Sequence, residues 1–295
     1  MFYNEKQVIV QISLHNSELM NSYRYQSNTM NDSHKERRNS KWNVEMHGFL
    51  IQKQKKKELE QVAKAYRNFL NVGKTERECV TQIIREARAA GYESLEEKTA
   101  KGEKLKAGDK VYTVGMKKII ALFHIGQDDI SEGMNILGAH IDSPRLDVKQ
   151  NPLYEDTDLA YLDTHYYGGV KKYQWVTLPL AIHGVVVKKD GSTAEVNIGE
   201  DEDDPIVYIT DLLIHLAGKQ MQKKAAEVIE GENLDILIGS RPLKALEDDK
   251  KKEAVKQNVL NILKEKYDME EEDFLLQSWR SYRQERQESV VWTEV

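Results

Sequence analysis

The spacing of apolar residues predicts two helices at the start of the regularly patterned part of the chain. Apolar side chains recur at helical spacing from Leu59 to Leu70, and Gly73 then ends the first helix. Thr75 and Glu78 have the spacing of a capping box, in which each side chain accepts a hydrogen bond from the other residue's backbone N–H. The capping box therefore marks the beginning of a second helix.

Strands are predicted after these helices, over Lys110–Val114, Lys118–Ile125 and Asn135–Ile141. From about residue 152 the pattern becomes β-rich. An Asp-Gly turn there separates the strands Leu180–Lys188 and Ser192–Ile198. A last helix is predicted at residues 248–267, so the pattern as a whole indicates an α/β fold with a β-rich insertion.

The residues Gly138–Arg145 read Gly-Ala-His-Ile-Asp-Ser-Pro-Arg and follow a predicted strand. Side chains two positions apart in a strand share a face, so His140 and Asp142 are expected to point the same way before Pro144 ends the strand. An imidazole beside a carboxylate suits a metal site, because the carboxylate fixes the tautomer and direction of the liganding histidine. A buried, structurally paired histidine is the alternative for His-x-Asp alone, whereas the full octapeptide is far more specific.

This octapeptide and the residues Leu146–Lys149 resemble the first metal-ligand segment of the aspartyl aminopeptidase family of zinc metallopeptidases. Gly73–Glu78 and Tyr167–Trp175 resemble two further segments of that family. The resemblance runs from about Lys56 to Phe274 and corresponds to the N-terminal portion of a bacterial-type enzyme. It implies a zinc-aminopeptidase-type catalytic domain, incomplete in this chain, with an inserted β-rich dimerisation domain.

The resemblance also implies a function, the removal of N-terminal amino acids from peptides. Family members use two zinc ions, which activate a water molecule and stabilise the oxyanion. By resemblance, His140 is a metal ligand and Asp142 is the catalytic-site carboxylate that orients it. Tyr173 occupies the position of a histidine that reaches a neighbouring active site in some relatives, and is a candidate substrate-binding residue. The family's other ligands come later in its sequence, and no histidine follows His215 here, so the site is incomplete.

Four other residues have open interpretations. His165 and His183 lie in the β-rich insertion and are weaker candidates for ligands, and His215 is expected to be structural. Arg145 either holds a nearby carboxylate or forms a structural salt bridge.

Composition limits the partners. A net charge of −6 argues against nucleic acid as the default partner of these 295 residues. The apolar run Val8–Leu14 is too short to span a membrane and lacks a small-residue cleavage site. Cys79 is the only cysteine, which excludes a disulfide framework within the chain, and we expect a cytoplasmic protein. The resemblance adds a homo-oligomer, a dodecamer in the family.

The expected organisation has five parts. Residues 1–53 form an irregular, non-native extension, 54–150 the N-terminal part of the catalytic domain, 151–245 the inserted β-rich domain, 246–275 a helix leading back to the catalytic domain, and 276–295 a frame-shifted tail. The codons of Leu276–Arg283, read two bases further on, permit Ser-Glu-Leu-Glu-Ile-Val-Pro, which resembles the family's next segment. A shifted frame near Lys41 likewise permits a family-like start. The alternative to an enzyme is a non-catalytic fragment or oligomerisation module.

Overall fold

The structure is a computed structural model that describes residues 11–13, 53–243 and 253–283. These residues fall into two compact units. Residues 11–13 and 53–141 form the N-terminal unit, and residues 142–243 and 253–283 form the C-terminal unit. The division falls inside the stretch that the sequence analysis assigned to the catalytic domain, and each unit is described by itself.

Three helices belong to the N-terminal unit: α1 (Lys53–Val72), α2 (Glu76–Ala89) and α3 (Leu95–Ala100). The predicted capping box is confirmed, since Glu78 N donates to Thr75 Oγ1 at 3.2 Å and Thr75 N donates to Glu78 Oε2 at 2.7 Å. A Cβ on Gly73 would lie 2.9 Å from the sulfur of Cys79. Glycine is therefore needed where the chain turns from α1 into α2.

The N-terminal unit contains a five-stranded sheet. Its strands are β1 (Gln11–Ser13), β2 (Glu93–Ser94), β3 (Lys110–Gly115), β4 (Ile119–His124) and β5 (Asn135–Leu137). They lie in the order β2-β3-β4-β1-β5. The buried side chains of α2, including Val80 and Ile83, pack with Tyr112, Ile120 and Leu122 of β3 and β4 to form the core.

Two expectations for this unit compare differently with the structure. Residues 1–53 were expected to be irregular; residues 11–13 pair with β4 and β5, and residues 1–10 and 14–52 lie outside the described residues. The strand expected to reach Ile141 ends at Leu137, where its ladder with β1 ends. His140 and Asp142 therefore follow β5 in irregular backbone, and the alternation argument for their shared face does not hold.

The C-terminal unit is built on a seven-stranded sheet. Its strands are β6 (Arg145–Asp156), β7 (Leu159–Tyr167), β8 (Leu180–Val187), β9 (Thr193–Ile198), β10 (Tyr208–Ile209), β11 (Ile236–Gly239) and β12 (Gln277–Arg283). The order is β10-β11-β7-β6-β12-β8-β9, and every neighbouring pair is antiparallel. The predicted turn between β8 and β9 is confirmed, with Gly191 in the left-handed region at φ +83°.

Helix α4 (Ala254–Tyr267) packs on this sheet through Val255, Val259 and Leu263. Its first turn is tied to β6, because the backbone N–H groups of Val255 and Lys256 both donate to Glu155 Oε2, at 2.9 and 2.8 Å. Short 3-10 helices occur at Ile130–Glu132, Lys172–Gln174, Gln220–Gln222, Gly231–Asn233 and Glu271–Leu276. Within the described residues, none of the helices combines the length and apolar character needed to cross a membrane.

Strand β12 lies in the stretch 276–295, which the sequence analysis assigned to a frame-shifted tail. It pairs with β8 along its whole length and with β6 at Arg280 and Ser281. Trp279 is 1% exposed and lies edge-on to Phe274, with 5.1 Å between the ring centres. Residues 277–283 are therefore part of the sheet, where β12 lies between β6 and β8.

Candidate functional site

Asp142 lies at the beginning of the C-terminal unit, and its carboxylate accepts a hydrogen bond from a tyrosine of the family-like segment Tyr167–Trp175. The hydroxyl of Tyr167, the last residue of β7, donates to Asp142 Oδ2 at 3.1 Å. Ser143 is buried beside it, and among the described residues the Ser143 hydroxyl has no hydrogen-bond partner. The structure thus brings Asp142 together with Tyr167, which the sequence did not predict.

Arg145 is the first residue of β6 and is only 4% exposed. Its Nε lies 2.7 Å from Asp147 Oδ1, and its guanidinium carbon lies 3.8 Å from the centre of the Tyr167 ring. A guanidinium over an aromatic face is attracted by the negative charge of the ring's π system. The contact with Asp147 fits both interpretations of Arg145, the held carboxylate and the structural salt bridge.

The family-like segments Gly138–Arg145 and Tyr167–Trp175 meet where β6 begins and β7 ends. Arg145 and Tyr167 are direct partners in the antiparallel ladder. Gly168 follows at φ +78°, and a Cβ on it would lie 3.5 Å from Pro144 Cα. A left-handed residue in contact with Pro144 favours glycine, so Gly168 helps to bring the two segments together.

Two further candidates, His140 and Tyr173, are described by their own surroundings. His140 is exposed and belongs to the N-terminal unit. Tyr173 lies in the 3-10 turn Lys172–Gln174 and is 43% exposed, next to a short segment anchored by the buried Trp175. The substrate-binding role of Tyr173 and the metal role of His140 stay predictions.

The other histidines have local partners or exposed positions. His183 is 3% exposed, and its Nε2 lies 3.2 Å from Glu200 Oε1, an arrangement that suits a structural pair. His165 is exposed, and its ring stacks on Tyr166 with 5.4 Å between the centres. His215 is exposed.

These residues do not by themselves form a metal centre. In the described parts of the chain, no three His, Cys, Asp or Glu side chains come together in a way that could hold a metal ion. Catalytic zinc sites take about three protein ligands. The donor set described here therefore does not fit a complete zinc site, and His140 remains a single indicated ligand.

Sequence reasoning also missed a polar cluster between β6, β7 and the segment before β11. The Tyr154 hydroxyl donates to Asp235 Oδ2 at 2.7 Å, and Thr164 N donates to Asp235 Oδ1 at 3.3 Å. Burial raises the pKa of Asp235, while burial and the bond to Asp235 raise the pKa of Tyr154. Tyr154 and Tyr161 lie at equal distances in sequence from the turn at Thr157 and Asp158, and this spacing could have predicted that the two tyrosines pair across the hairpin.

Comparison with known proteins identifies the class. A sequence profile described as "Aminopeptidase I zinc metalloprotease (M18)" matches residues 69–284. A "Probable M18 family aminopeptidase 1" of Clostridium acetobutylicum is 58% identical over 219 residues, which are 74% of this chain and 46% of that protein. The corresponding protein of Thermotoga maritima is 46% identical over 225 residues, covering 75% of this chain and 47% of its own length.

Solved structures agree. The M18 aminopeptidase of Thermotoga maritima matches with a TM-score of 0.71 and 41% identity, over 79% of this chain and 50% of that one. Aminopeptidase I of Clostridium acetobutylicum matches with a TM-score of 0.68 and 54% identity, over 78% of this chain and 50% of that one. These matches define a zinc metalloprotease class. Within it, the chain belongs to the M18 aminopeptidase family, so the predicted family resemblance is confirmed.

The mixed α/β architecture with a β-rich part is confirmed as well. The chain spans about half the length of the curated relatives it matches, 46% to 48% for those with more than 40% identity.

Proposed function

We propose that this chain carries the N-terminal part of a zinc-dependent aminopeptidase that removes N-terminal amino acids from peptides. The observation that supports it best is the family match over residues 69–284, which includes the His140 and Asp142 segment. The proposed roles are metal ligand for His140, active-site carboxylate for Asp142 and substrate contact for Tyr173. A cytoplasmic setting is part of the proposal.

The described residues supply too few ligands for a zinc centre, so we propose that this 295-residue chain is inactive alone. The test is hydrolysis of a panel of aminoacyl-p-nitroanilides by the purified chain, with bound zinc measured by mass spectrometry. We expect no chelator-sensitive hydrolysis. Measurable metal-dependent cleavage by this chain would contradict inactivity and support the enzyme directly.

A chimera tests the aminopeptidase assignment itself. Residues through Phe274 are joined to the remaining C-terminal part of the Clostridium acetobutylicum relative, which supplies the portion of the family sequence that this chain does not match. The chimera is expected to bind zinc and to release N-terminal amino acids. His140→Ala should abolish both, whereas His215→Ala, at an exposed histidine, should leave both unchanged. An inactive, folded chimera beside an active relative would refute the assignment.

The non-catalytic alternative, an oligomerisation module, is favoured by one surface. Six large apolar side chains between residues 206 and 221 are 54% to 71% exposed, and we call them the 206–221 surface: Ile206, Leu212, Leu213, Ile214, Leu216 and Met221. A contiguous exposed apolar stretch of this kind is typical of an interface. We propose that a second copy of the chain covers it.

Sedimentation velocity tests this interface. The unmodified chain is expected to sediment as an oligomer, and the double variant Leu213→Asp, Leu216→Asp as a smaller species, because two charges would be buried on association. Met116→Asp, at a 90% exposed position outside this surface, is the control and should not change the oligomer. Association that survives the double variant would refute the proposed surface.

A further inference from the structure

Four side chains form one connected cluster at the start of the C-terminal unit: Asp142, Tyr167, Arg145 and Asp147. The Tyr167 hydroxyl donates to Asp142 at 3.1 Å, Arg145 lies over the Tyr167 ring at 3.8 Å, and Arg145 Nε lies 2.7 Å from Asp147. Arg280 Nε of β12 lies 3.7 Å from the same oxygen of Asp147. These contacts connect Asp147 through Arg145 and Tyr167 to Asp142.

The backbone fixes the places of Arg145 and Tyr167 in this series of contacts. Arg145 begins β6 and Tyr167 ends β7, and the two residues face each other in the ladder. Gly168 then turns in the left-handed region against Pro144. The tyrosine ring therefore has little freedom to leave Arg145, and its hydroxyl stays within reach of Asp142.

The four side chains differ in their exposure to solvent. Arg145 is buried, whereas Asp142 and Asp147 are partly exposed and Tyr167 is exposed. A stack that served only to close the ends of two strands would not need the hydroxyl to be directed at a carboxylate. Buried Arg145 packs against the Tyr167 ring, and the hydroxyl of that ring donates a hydrogen bond to Asp142.

We propose that Tyr167 and Arg145 are positioning residues for Asp142, with Tyr167 orienting the carboxylate and Arg145 holding the tyrosine. The proposal rests on the proposed function, in which Asp142 is an active-site carboxylate. Neither residue contacts substrate in this assignment. The guanidinium is engaged by Asp147 and by the ring, so it is not the group that would bind an acidic substrate side chain.

The test uses the intact 295-residue chain and needs no activity. Three-bond NMR couplings report whether the Asp142 side chain keeps one χ1 rotamer, and the Arg145 Nε–H shift reports the ring current of Tyr167. In the unmodified chain we expect one Asp142 rotamer and an upfield Arg145 resonance. An unshifted Arg145 resonance, or rotamer averaging at Asp142, would refute the proposal before any substitution is made.

Tyr167→Phe separates the two roles, because it removes the hydroxyl and keeps the ring. The Arg145 resonance should stay upfield while the Asp142 couplings change to averaged values. Tyr161→Phe is the matched control, because Tyr161 lies on the same strand and an even number of residues from Tyr167. It should change neither signal. An Asp142 side chain that keeps one rotamer in Tyr167→Phe would overturn the positioning role.

Arg145→Lys keeps the charge but loses the planar group, so the Asp142 rotamer is expected to average there as well. In the chimera described above, Tyr167→Phe should lower kcat/KM about 10-fold or more, the range seen when an outer hydrogen bond at a metal site is lost. An unchanged kcat/KM in an active chimera would refute positioning, whereas an inactive chimera would refute the proposed function and leave the NMR result to decide the positioning role.

Discussion

Gly184 of β8 lies directly opposite Trp279 of β12, with no room for a side chain between them. A Cβ on Gly184 would lie 2.8 Å from Trp279 Cα and 2.5 Å from the carbonyl oxygen of Ser278. Real Cβ atoms do not approach other heavy atoms this closely, and both neighbours here are backbone atoms that cannot move independently. The glycine is therefore part of the fit between these two strands.

Gly184→Ala is expected to destabilise the protein by about 1–3 kcal/mol, the usual cost of overpacking a well-packed interior. The measurement is urea unfolding followed by circular dichroism. Gly169→Ala is the control, because a Cβ there meets nothing within 4 Å and its backbone is not in the left-handed region. Equal unfolding midpoints for the two variants would mean that β12 does not lie against Gly184.

Thr75→Ala should lower the free energy of unfolding by about 1 kcal/mol, because the first turn of α2 loses its side-chain acceptor. Thr81→Ala is a matched control, since Thr81 is exposed in the same helix and its hydroxyl donates only to the Arg77 carbonyl of the preceding turn. Thermal unfolding of both variants measures the difference. A smaller loss in Thr75→Ala than in Thr81→Ala would contradict the capping box.

Asp268 makes stability depend on pH in the acid range. Its carboxylate accepts hydrogen bonds from Lys264 and Lys188, at 2.9 and 3.0 Å, and these contacts lower the pKa of Asp268 from 3.8 to about 2. A carboxyl with a lowered pKa in the folded state stabilises the protein above its unfolded pKa, and the contribution disappears as the pH falls from about 4 to 2.

Asp268→Asn should therefore be less stable than the unmodified chain at pH 6, with the difference shrinking below pH 4. Added salt should reduce the difference at pH 6, because the group is exposed. Asn is suited to the left-handed backbone of this position at φ 52°. Asp158→Asn, in another left-handed position, is the control, and a parallel pH dependence in both variants would contradict the role of the two lysines.

The frame-shift interpretation of residues 276–295 remains a prediction. Resequencing the gene from genomic DNA is the measurement, and we expect a change of reading frame near the codon of Leu276, with family-like sequence continuing beyond it. A single uninterrupted frame that encodes this chain, with no family-like sequence downstream, would contradict the interpretation.

Regular local patterns made much of the N-terminal unit predictable. The helical spacing from Leu59 to Leu70 and the capping pair Thr75 and Glu78 act over three or four residues, so they can be read directly from the chain. Strand β12 could not be predicted in the same way. Its sequence Gln-Ser-Trp-Arg-Ser-Tyr-Arg is mostly polar, and Trp279 and Tyr282 become buried only because β6 and β8 flank them.

The contact between Asp142 and Tyr167 was unpredictable for a different reason. Near the turn the ladder pairs Tyr154 with Tyr161, and continuing that register would place Val148 opposite Tyr167. A bulge between Val148 and Leu153 shifts the register, so Arg145 takes that position. Asn151 has φ +50° inside this bulge, but a single asparagine before proline does not reveal where register changes. The motif singled out Asp142 as a candidate residue, and it gave no indication that Tyr167 would contact it.

The place of β12 in the sheet also sets the order in which the C-terminal unit can be completed during synthesis. Of its seven strands, β12 leaves the ribosome last, yet it lies between β6 and β8. Until then, the edges of β6 and β8 that pair with β12 stay open, and both can pair with neighbouring nascent chains. Expression at low temperature, with slower synthesis and fewer chains in contact, should therefore raise the yield of folded protein.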